Sequence, residues 1–295
     1  MPDITILPAN LVTLVCTSCL YGILLLLFIA TVYFLATRRT LAGHRQTPTR
    51  NFTSLVFLGV ASLFLVITAH WIVIVYQAFF AFIHLGSAAT EDAFYANLAQ
   101  RSEIAKVVLF CISVFLGNSL VIYRLWIVWA RDRYIPILPA LASIGVAVAF
   151  TGIIHDSATW EPRLRGSPFE REVLPWVASG AFLTLVTNVY CTVLILLRIR
   201  KFTKTVSESR LMGFLSILVE SAALQTLWII FTAIAELADS GVDFIASDTF
   251  PVITGISNLL IHARIGLGWS QDSLPHIHES ETKVKCKNRL NDNVV

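Results

Sequence analysis

The chain has 295 residues, of which 56% are hydrophobic and only 14% are charged, whereas charged residues make up about a quarter of a typical soluble domain. This composition excludes an ordinary soluble enzyme, a disordered chain and a nucleic-acid-binding protein. The five cysteines are too few for a disulfide scaffold, and the net charge of +3 is small. The remaining class is a helical membrane protein.

Long stretches without charged residues predict seven membrane spans. A helix needs roughly 20 mostly apolar residues to cross a bilayer. The apolar runs are continuous and leucine-rich, without the alternation that a membrane β-barrel requires. We therefore predict an all-α, integral membrane seven-helix bundle in residues 1–269, followed by a short cytoplasmic tail, 270–295, that is expected to be disordered. The predicted spans are 12–36, 54–82, 106–130, 135–154, 174–198, 211–236 and 249–268.

Lys and Arg residues accumulate in alternate loops and predict the orientation of the bundle. With the N-terminus outside, the inner segments hold fifteen of these residues and the outer segments hold four. Cytoplasmic loops of membrane proteins carry such an excess of positive charge. We therefore expect the N-terminus outside and the C-terminus cytoplasmic, with the plasma membrane as the default location.

Two charged residues fall deep inside predicted spans. By helix rise, Arg124 lies about 10 Å and Glu220 about 15 Å from the nearest basic residue at the inner end. We hypothesise that they face each other as an intramembrane ion pair, which could act as a switch. The alternative is that Arg124 extends to the inner head groups, while Glu220 is protonated or bonded to Ser or Thr neighbours.

Uncharged polar residues also recur within the spans, where each needs a partner or a function. A ligand pocket open to the outside is one interpretation. The alternative is interhelical hydrogen bonding, worth only about 0.6 kcal/mol on average. The pocket candidates are His70, Tyr76, Gln77, Asn118 and Trp228.

Charged residues at the inner ends of the third and fifth spans are candidates for contact with a cytoplasmic signalling partner. The alternative is that they satisfy the charge bias and bind anionic lipid. They are Arg131, Asp132, Arg133, Arg198, Arg200 and Lys201.

Seven spans with an outer N-terminus resemble the topology of G-protein-coupled receptors. Asp132-Arg133-Tyr134 stands at the inner end of the third span, where rhodopsin-like receptors carry an Asp-Arg-Tyr motif. The seventh span departs from the receptor pattern, because it has no Asn-Pro-x-x-Tyr motif. The sixth span likewise has no Cys-Trp-x-Pro motif.

Almost the whole chain resembles a large group of seven-span proteins of mushroom-forming (basidiomycete) fungi. Three segments carry this resemblance. They are Tyr123 to Trp129, Glu220 to Trp228, and Pro251 to Trp269 with its Arg264-Ile265-Gly266-Leu267-Gly268-Trp269 ending. Receptor-like function is the usual expectation for this group. The resemblance places Arg124 and Glu220 inside the group's motifs.

The function expected first is therefore a receptor-like protein that senses an unknown small outer ligand and signals through short basic inner loops. A small-solute transporter or channel is the alternative. Against it stand the absence of internal repeats and of a second membrane acid beside Glu220. The prolines near spans are also expected at span starts rather than in the middle of spans: Pro136, Pro139, Pro175 and Pro251.

A membrane-embedded lipid-modifying enzyme ranks third. His155-Asp156 and His262 are separated by most of the predicted bilayer, so no metal site joins them, and no catalytic constellation is found. We expect no enzyme activity, no cofactor and no metal. The expected partners are the lipid bilayer, the small ligand and a cytoplasmic signalling protein, and no nucleic acid.

Overall fold

The computed structural model consists of long apolar helices. It describes residues 6–41, 49–84, 100–159, 168–203, 209–237 and 242–261. Within these ranges, seven helices are long and apolar enough to cross a membrane, which confirms the predicted all-helical fold and the predicted number of helices of spanning length. The helices are α1 (Ile6–Leu41), α2 (Thr49–His84), α3 (Arg101–Val128), α4 (Ile137–Ala158), α5 (Pro168–Thr203), α6 (Ser209–Leu237) and α7 (Val242–Ile261).

The last helix begins earlier than predicted. The predicted span starts at 249, which excludes Asp243 and Asp248 as charged residues, but α7 begins at Val242. Asp243 lies in the first turn and its Oδ1 accepts a hydrogen bond from the Phe244 amide at 2.8 Å. A carboxylate is favourable at this end of a helix. Residues 262–269 of the predicted span and the predicted tail, 270–295, lie outside the described residues.

Two prolines lie further inside their helices than expected. Pro175 is within α5, and Pro251 is buried near the middle of α7. A proline has no amide hydrogen, so Pro251 cannot donate to the carbonyl of Ser247 one turn earlier. The expectation that no proline lies mid-span is therefore wrong for α7.

Helices α3 and α7 form the centre of the bundle. In the most apolar 18-residue stretch of α7, 78% of the residues are buried, a larger share than in the corresponding stretch of any of the other six helices. Helix α3 contributes to each of the three apolar clusters of the core. The cluster that joins α1, α2, α3 and α7 comprises Leu24, Val60, Leu63, Ile67, Leu120, Val252, Ile256 and Leu259.

The outward faces of the peripheral helices remain apolar. Leu26, Leu65 and Leu227 are each about two-thirds exposed, at 69%, 65% and 66%. Such a surface is unfavourable in water but matches lipid tails, which are as apolar as leucine. The packing thus agrees with a protein whose outer surface faces lipid.

A glycine allows α3 and α7 to approach closely. A Cβ atom added at Gly117 would lie 2.5 Å from Cγ2 of Thr254, and Thr254 is buried. Because a β-branched side chain has few rotamers in a helix, Thr254 cannot easily move away. Small residues at such contacts allow helices in membranes to pack tightly.

We expect Gly117→Ala to lower the free energy of unfolding by about 1–3 kcal/mol, because the added methyl group overpacks this contact. Gly22→Ala in α1 is the matched control, since nothing lies within 4 Å of its added Cβ. Thermal melting of the two purified variants in the same detergent measures the difference. Equal melting temperatures would contradict the close packing of α3 on α7.

Candidate functional site

A cavity of about 190 Å³ lies among α2, α3, α4, α5, α6 and α7. It lies toward the predicted outer end of the bundle, where α2, α4 and α6 end and α3, α5 and α7 begin. Most of its wall is apolar. Apolar lining residues include Phe110, Val114, Phe150, Val177, Ile229 and Phe250.

One corner of the cavity is polar. It combines His70 of α2, Lys106 of α3, Glu236 of α6, and Ser247 and Asp248 of α7. Four helices therefore contribute to this corner, and most of the remaining lining residues are apolar, apart from Thr184 and Thr232. An apolar cavity with a few convergent polar groups is the usual form of a small-molecule site.

A buried charged cluster forms part of the corner. Lys106 Nζ lies 2.7 Å from Glu103 Oε1 and 3.2 Å from Asp248 Oδ2. Gln77 Nε2 donates a hydrogen bond to Glu103 Oε2 at 2.6 Å. All four residues are less than a tenth exposed. The cluster links α2, α3 and α7 through polar contacts that are largely shielded from water.

The charged cluster corrects the sequence-based placement of its acidic members. The predicted spans 106–130 and 249–268 leave Glu103 and Asp248 outside, and Lys106 is the first residue of the third span. A charged side chain in an apolar helix is tolerated when it is paired, and here the partners come from α3 and α7. The i, i+3 spacing of Glu103 and Lys106, which puts them on one helix face, was the available signal.

A second polar contact joins α6 to α7 at the cavity. Ser247 Oγ donates a hydrogen bond to Glu236 Oε1 at 3.1 Å. Glu236 was included in the sixth predicted span only as its final residue, and no role was predicted for it. The contact adds another carboxylate to the polar corner.

His70 is the least satisfied polar group of the site. Its side chain is fully buried, with 0% exposure, and it lines the cavity. Neither ring nitrogen has a hydrogen-bond partner among the described residues. Since buried polar groups are nearly always hydrogen-bonded, His70 is ready to bind a polar group that enters the cavity.

Of the five predicted pocket residues, His70 lies in the cavity wall and the other four do not. His70 lines the cavity, and Gln77 reaches it indirectly through Glu103. Asn118 is buried in α3, but it is not part of the cavity wall. Trp228 Nε1 donates to the Ala246 carbonyl at 3.1 Å. Tyr76 is 57% exposed and is not part of the cavity wall.

Arg124 has a backbone partner in α7. Its Nη2 donates a hydrogen bond to the carbonyl oxygen of Asn258 at 3.0 Å. Glu220 is exposed on α6. The direct pairing of Arg124 with Glu220 stays a prediction.

A tight turn follows α3 at the predicted inner end. Ala130 and Arg131 have positive φ angles of 55° and 66°, and the Arg131 amide donates to the Trp126 carbonyl at 2.9 Å. This bond closes the helix in the manner of a Schellman motif. Asp132 and Arg133 follow in the exposed turn, so the Asp-Arg-Tyr segment lies beyond the end of α3 rather than within it.

The basic residues at this end differ in their contacts. The Arg198 guanidinium lies 5.0 Å from the centroid of the Trp129 ring, and that of Arg131 lies 5.8 Å from the Trp126 ring. Both distances are within the range of cation–π attraction. Arg200 and Lys201 are exposed in the last turn of α5.

Comparisons of the chain with protein-family models, with curated proteins and with solved structures find no match. In the described ranges, no group of three or more His, Cys, Asp or Glu side chains is arranged to hold a metal ion. By length and composition, the seven helices are those of a multi-pass integral membrane protein.

Proposed function

We propose that the protein is a receptor-like membrane protein that binds a small, largely apolar ligand in the cavity. The observation that carries the proposal is His70, which is buried in the cavity wall and has no hydrogen-bond partner among the described residues. An imidazole without a partner in an apolar interior is unfavourable, and a ligand that hydrogen-bonds to it removes this penalty. In the predicted orientation the cavity lies near the outer surface, where an outer ligand would arrive.

Two helices connect the cavity to the basic inner end. Helix α3 lines the cavity at Lys106 and ends before Arg131, while α5 lines it at Gly180 and ends beyond Lys201. Small shifts or rotations of packed helices are a common way to transmit binding across a protein. A ligand held between α3 and α5 would therefore alter the spacing of the basic residues that face the cytoplasm.

Filling the cavity tests ligand binding. Gly180 lines the cavity, and an added Cβ would meet only ordinary contacts at 3.5 Å or more. We expect Gly180→Leu to weaken binding of the neutral probe cyclohexylmethanol at least tenfold, because the larger side chain occupies the same space. The rise in melting temperature with probe concentration measures binding.

Gly22→Leu is the matched control for the cavity-filling variant. Gly22 lies on α1 with open space around it, so the same change should leave probe binding unaltered. Binding that is equal in the Gly180→Leu and Gly22→Leu variants would contradict the cavity as the site.

Spin labels test the signalling part of the proposal. Labels at Arg133→Cys and Lys201→Cys, in a background with the native cysteines replaced by alanine, report the distance between the inner ends of α3 and α5. We expect this distance to change when the probe binds. An unchanged distribution at saturating probe would contradict a receptor-like role for this protein.

A proton-coupled transporter is a second candidate, favoured by two features of the structure. Pro251 interrupts the hydrogen bonding of α7, and Glu103, Glu236 and Asp248 are acids within membrane-spanning helices. Broken helices and intramembrane acids are typical of transport pathways. Proton uptake into proteoliposomes, read with a pH-sensitive dye and lost in Glu236→Gln, would favour this candidate.

The same proposal includes three further points. The protein belongs to the fungal seven-span group, its N-terminus lies outside, and it resides in the plasma membrane. Orientation can be tested with glycosylation. The sequon at Asn51 falls on the predicted cytoplasmic side, where it stays bare. Its modification in a eukaryotic host would contradict the proposed orientation.

A further inference from the structure

We infer that the ligand carries a protonated amine, which is held at the polar corner of the cavity. This inference rests on the proposed ligand binding and adds the chemical class of the ligand. It depends on the charges at the polar corner, on the imidazole of His70, which has no partner among the described residues, and on the size of the cavity.

The charges at the corner do not balance. Lys106, Glu236 and Asp248 line the cavity, and Glu103 contacts Lys106 directly. When Glu236 is ionised, three carboxylates accompany one ammonium group. Such an imbalance is unfavourable in a low-dielectric interior, and it is removed either by protonation of Glu236 or by a cation that enters the cavity and pairs with it.

Lys106 is already engaged by two of these carboxylates, at 2.7 Å and 3.2 Å. Glu236 has a different partner, the hydroxyl group of Ser247. In the part of the chain that the structure describes, no Lys, Arg or His nitrogen lies within 4.0 Å of the Glu236 carboxylate. A cation that enters the cavity can therefore pair with Glu236 without displacing Lys106.

His70 provides a second, independent reason to expect a ligand here. It is fully buried, it lines the same cavity, and its ring nitrogens are unpartnered among the described residues. A neutral imidazole has one nitrogen that accepts a hydrogen bond, and an ammonium group has three donors. The cavity wall therefore offers a ligand amine hydrogen-bond acceptors on α2, at His70, and on α6, at Glu236.

The volume of the chamber limits the rest of the ligand. The cavity of about 190 Å³ is comparable to the apolar cavity of about 150 Å³ that binds benzene in another protein. Mostly aromatic and aliphatic side chains form the remaining wall, so a compact ring or short branched chain fits better than a polar body. The inferred ligand class is a small amine with an apolar body.

Three probes of the same shape separate the alternatives: cyclohexylmethylamine, cyclohexylmethanol and cyclohexanecarboxylate. Each is titrated into the purified wild-type protein at neutral pH, and apparent affinity is obtained from the concentration dependence of the melting temperature. We expect the amine to bind at least tenfold more tightly than the alcohol, and the carboxylate to bind most weakly.

Glu236→Gln tests the carboxylate assigned to the amine. The change preserves shape and removes the charge, and Glu236 is not a partner of Lys106. We expect the variant to lose about tenfold in amine affinity, as for a charge-assisted hydrogen bond, and to lose less in affinity for the alcohol, whose hydroxyl group can hydrogen-bond to Gln as well as to Glu. Asp156→Asn, at the end of α4 and outside the cavity wall, is a control that removes an acid at the same end of the bundle.

The outcomes distinguish this inference from the proposed function. Equal binding of amine and alcohol by the wild-type protein would overturn the inference and leave the cavity site standing. Tightest binding of the carboxylate would also overturn it, because Lys106 would then dominate the corner. If none of the three probes binds, the proposed ligand site itself is wrong. The wild-type comparison needs no variant and therefore does not depend on how Glu236→Gln folds.

Discussion

Lys106→Met should lower the free energy of unfolding by about 3–5 kcal/mol, the largest effect expected of a single substitution here. Lys106 is buried and contacts both Glu103 and Asp248. Removing it leaves two buried carboxylates without their cation, and breaking a buried ion pair from one side is strongly destabilising. The melting temperature and the fraction of monodisperse protein after detergent extraction measure the effect.

Neutralising the whole cluster should restore most of this loss. The triple variant Lys106→Met, Glu103→Gln and Asp248→Asn contains no unpaired charge, and replacing complete buried ion pairs is often close to neutral. Lys201→Met, at an exposed position in α5, is the control for loss of a lysine. A Lys106→Met variant as stable as Lys201→Met would show that the cluster does not hold α3 to α7.

Arg124→Glu should have the second-largest effect. The change removes the hydrogen bond from Arg124 to the Asn258 carbonyl, and a hydrogen bond with a charged donor is worth about 1.5–3 kcal/mol. It also places a carboxylate near a carbonyl oxygen that carries partial negative charge. Thermal melting should therefore show a loss larger than that of Arg124→Met, which removes the bond without adding a negative charge.

Charge reversal tests the predicted pair with Glu220. If the two side chains interact, Arg124→Glu combined with Glu220→Arg should be more stable than Arg124→Glu alone. Recovery would remain incomplete, because no side chain at position 220 restores the bond to the Asn258 backbone. A double variant no more stable than Arg124→Glu would show that the prediction of direct pairing is wrong.

The number and type of helices were predictable because they depend on local composition. Each span needs an apolar run of sufficient length, and this requirement can be evaluated within a single window of sequence. The ends of the helices were less predictable where a charged residue lies inside a helix, because charged residues usually indicate a loop. Helix α7 begins at Val242, and Asp248 lies inside it because its charge is paired with Lys106.

The candidate site could be predicted only in part. His70 and Gln77 were selected because polar residues within an apolar span require an explanation. No site role is predicted for Lys106 or Glu236, since each lies at the edge of a predicted span. Tyr76 was selected with the same reasoning as His70, yet it is 57% exposed, because the two side chains point to different faces of α2.

Hydrophobic length and charge are properties of continuous segments, so the seven long apolar helices could be predicted from the amino-acid sequence. The positions of the polar contacts depend on how these helices pack. Lys106 and Asp248 are 142 residues apart in the chain, and their contact depends on the packing of α3 against α7. Burial makes that pairing necessary, and the same packing leaves the cavity in which His70 lacks a partner.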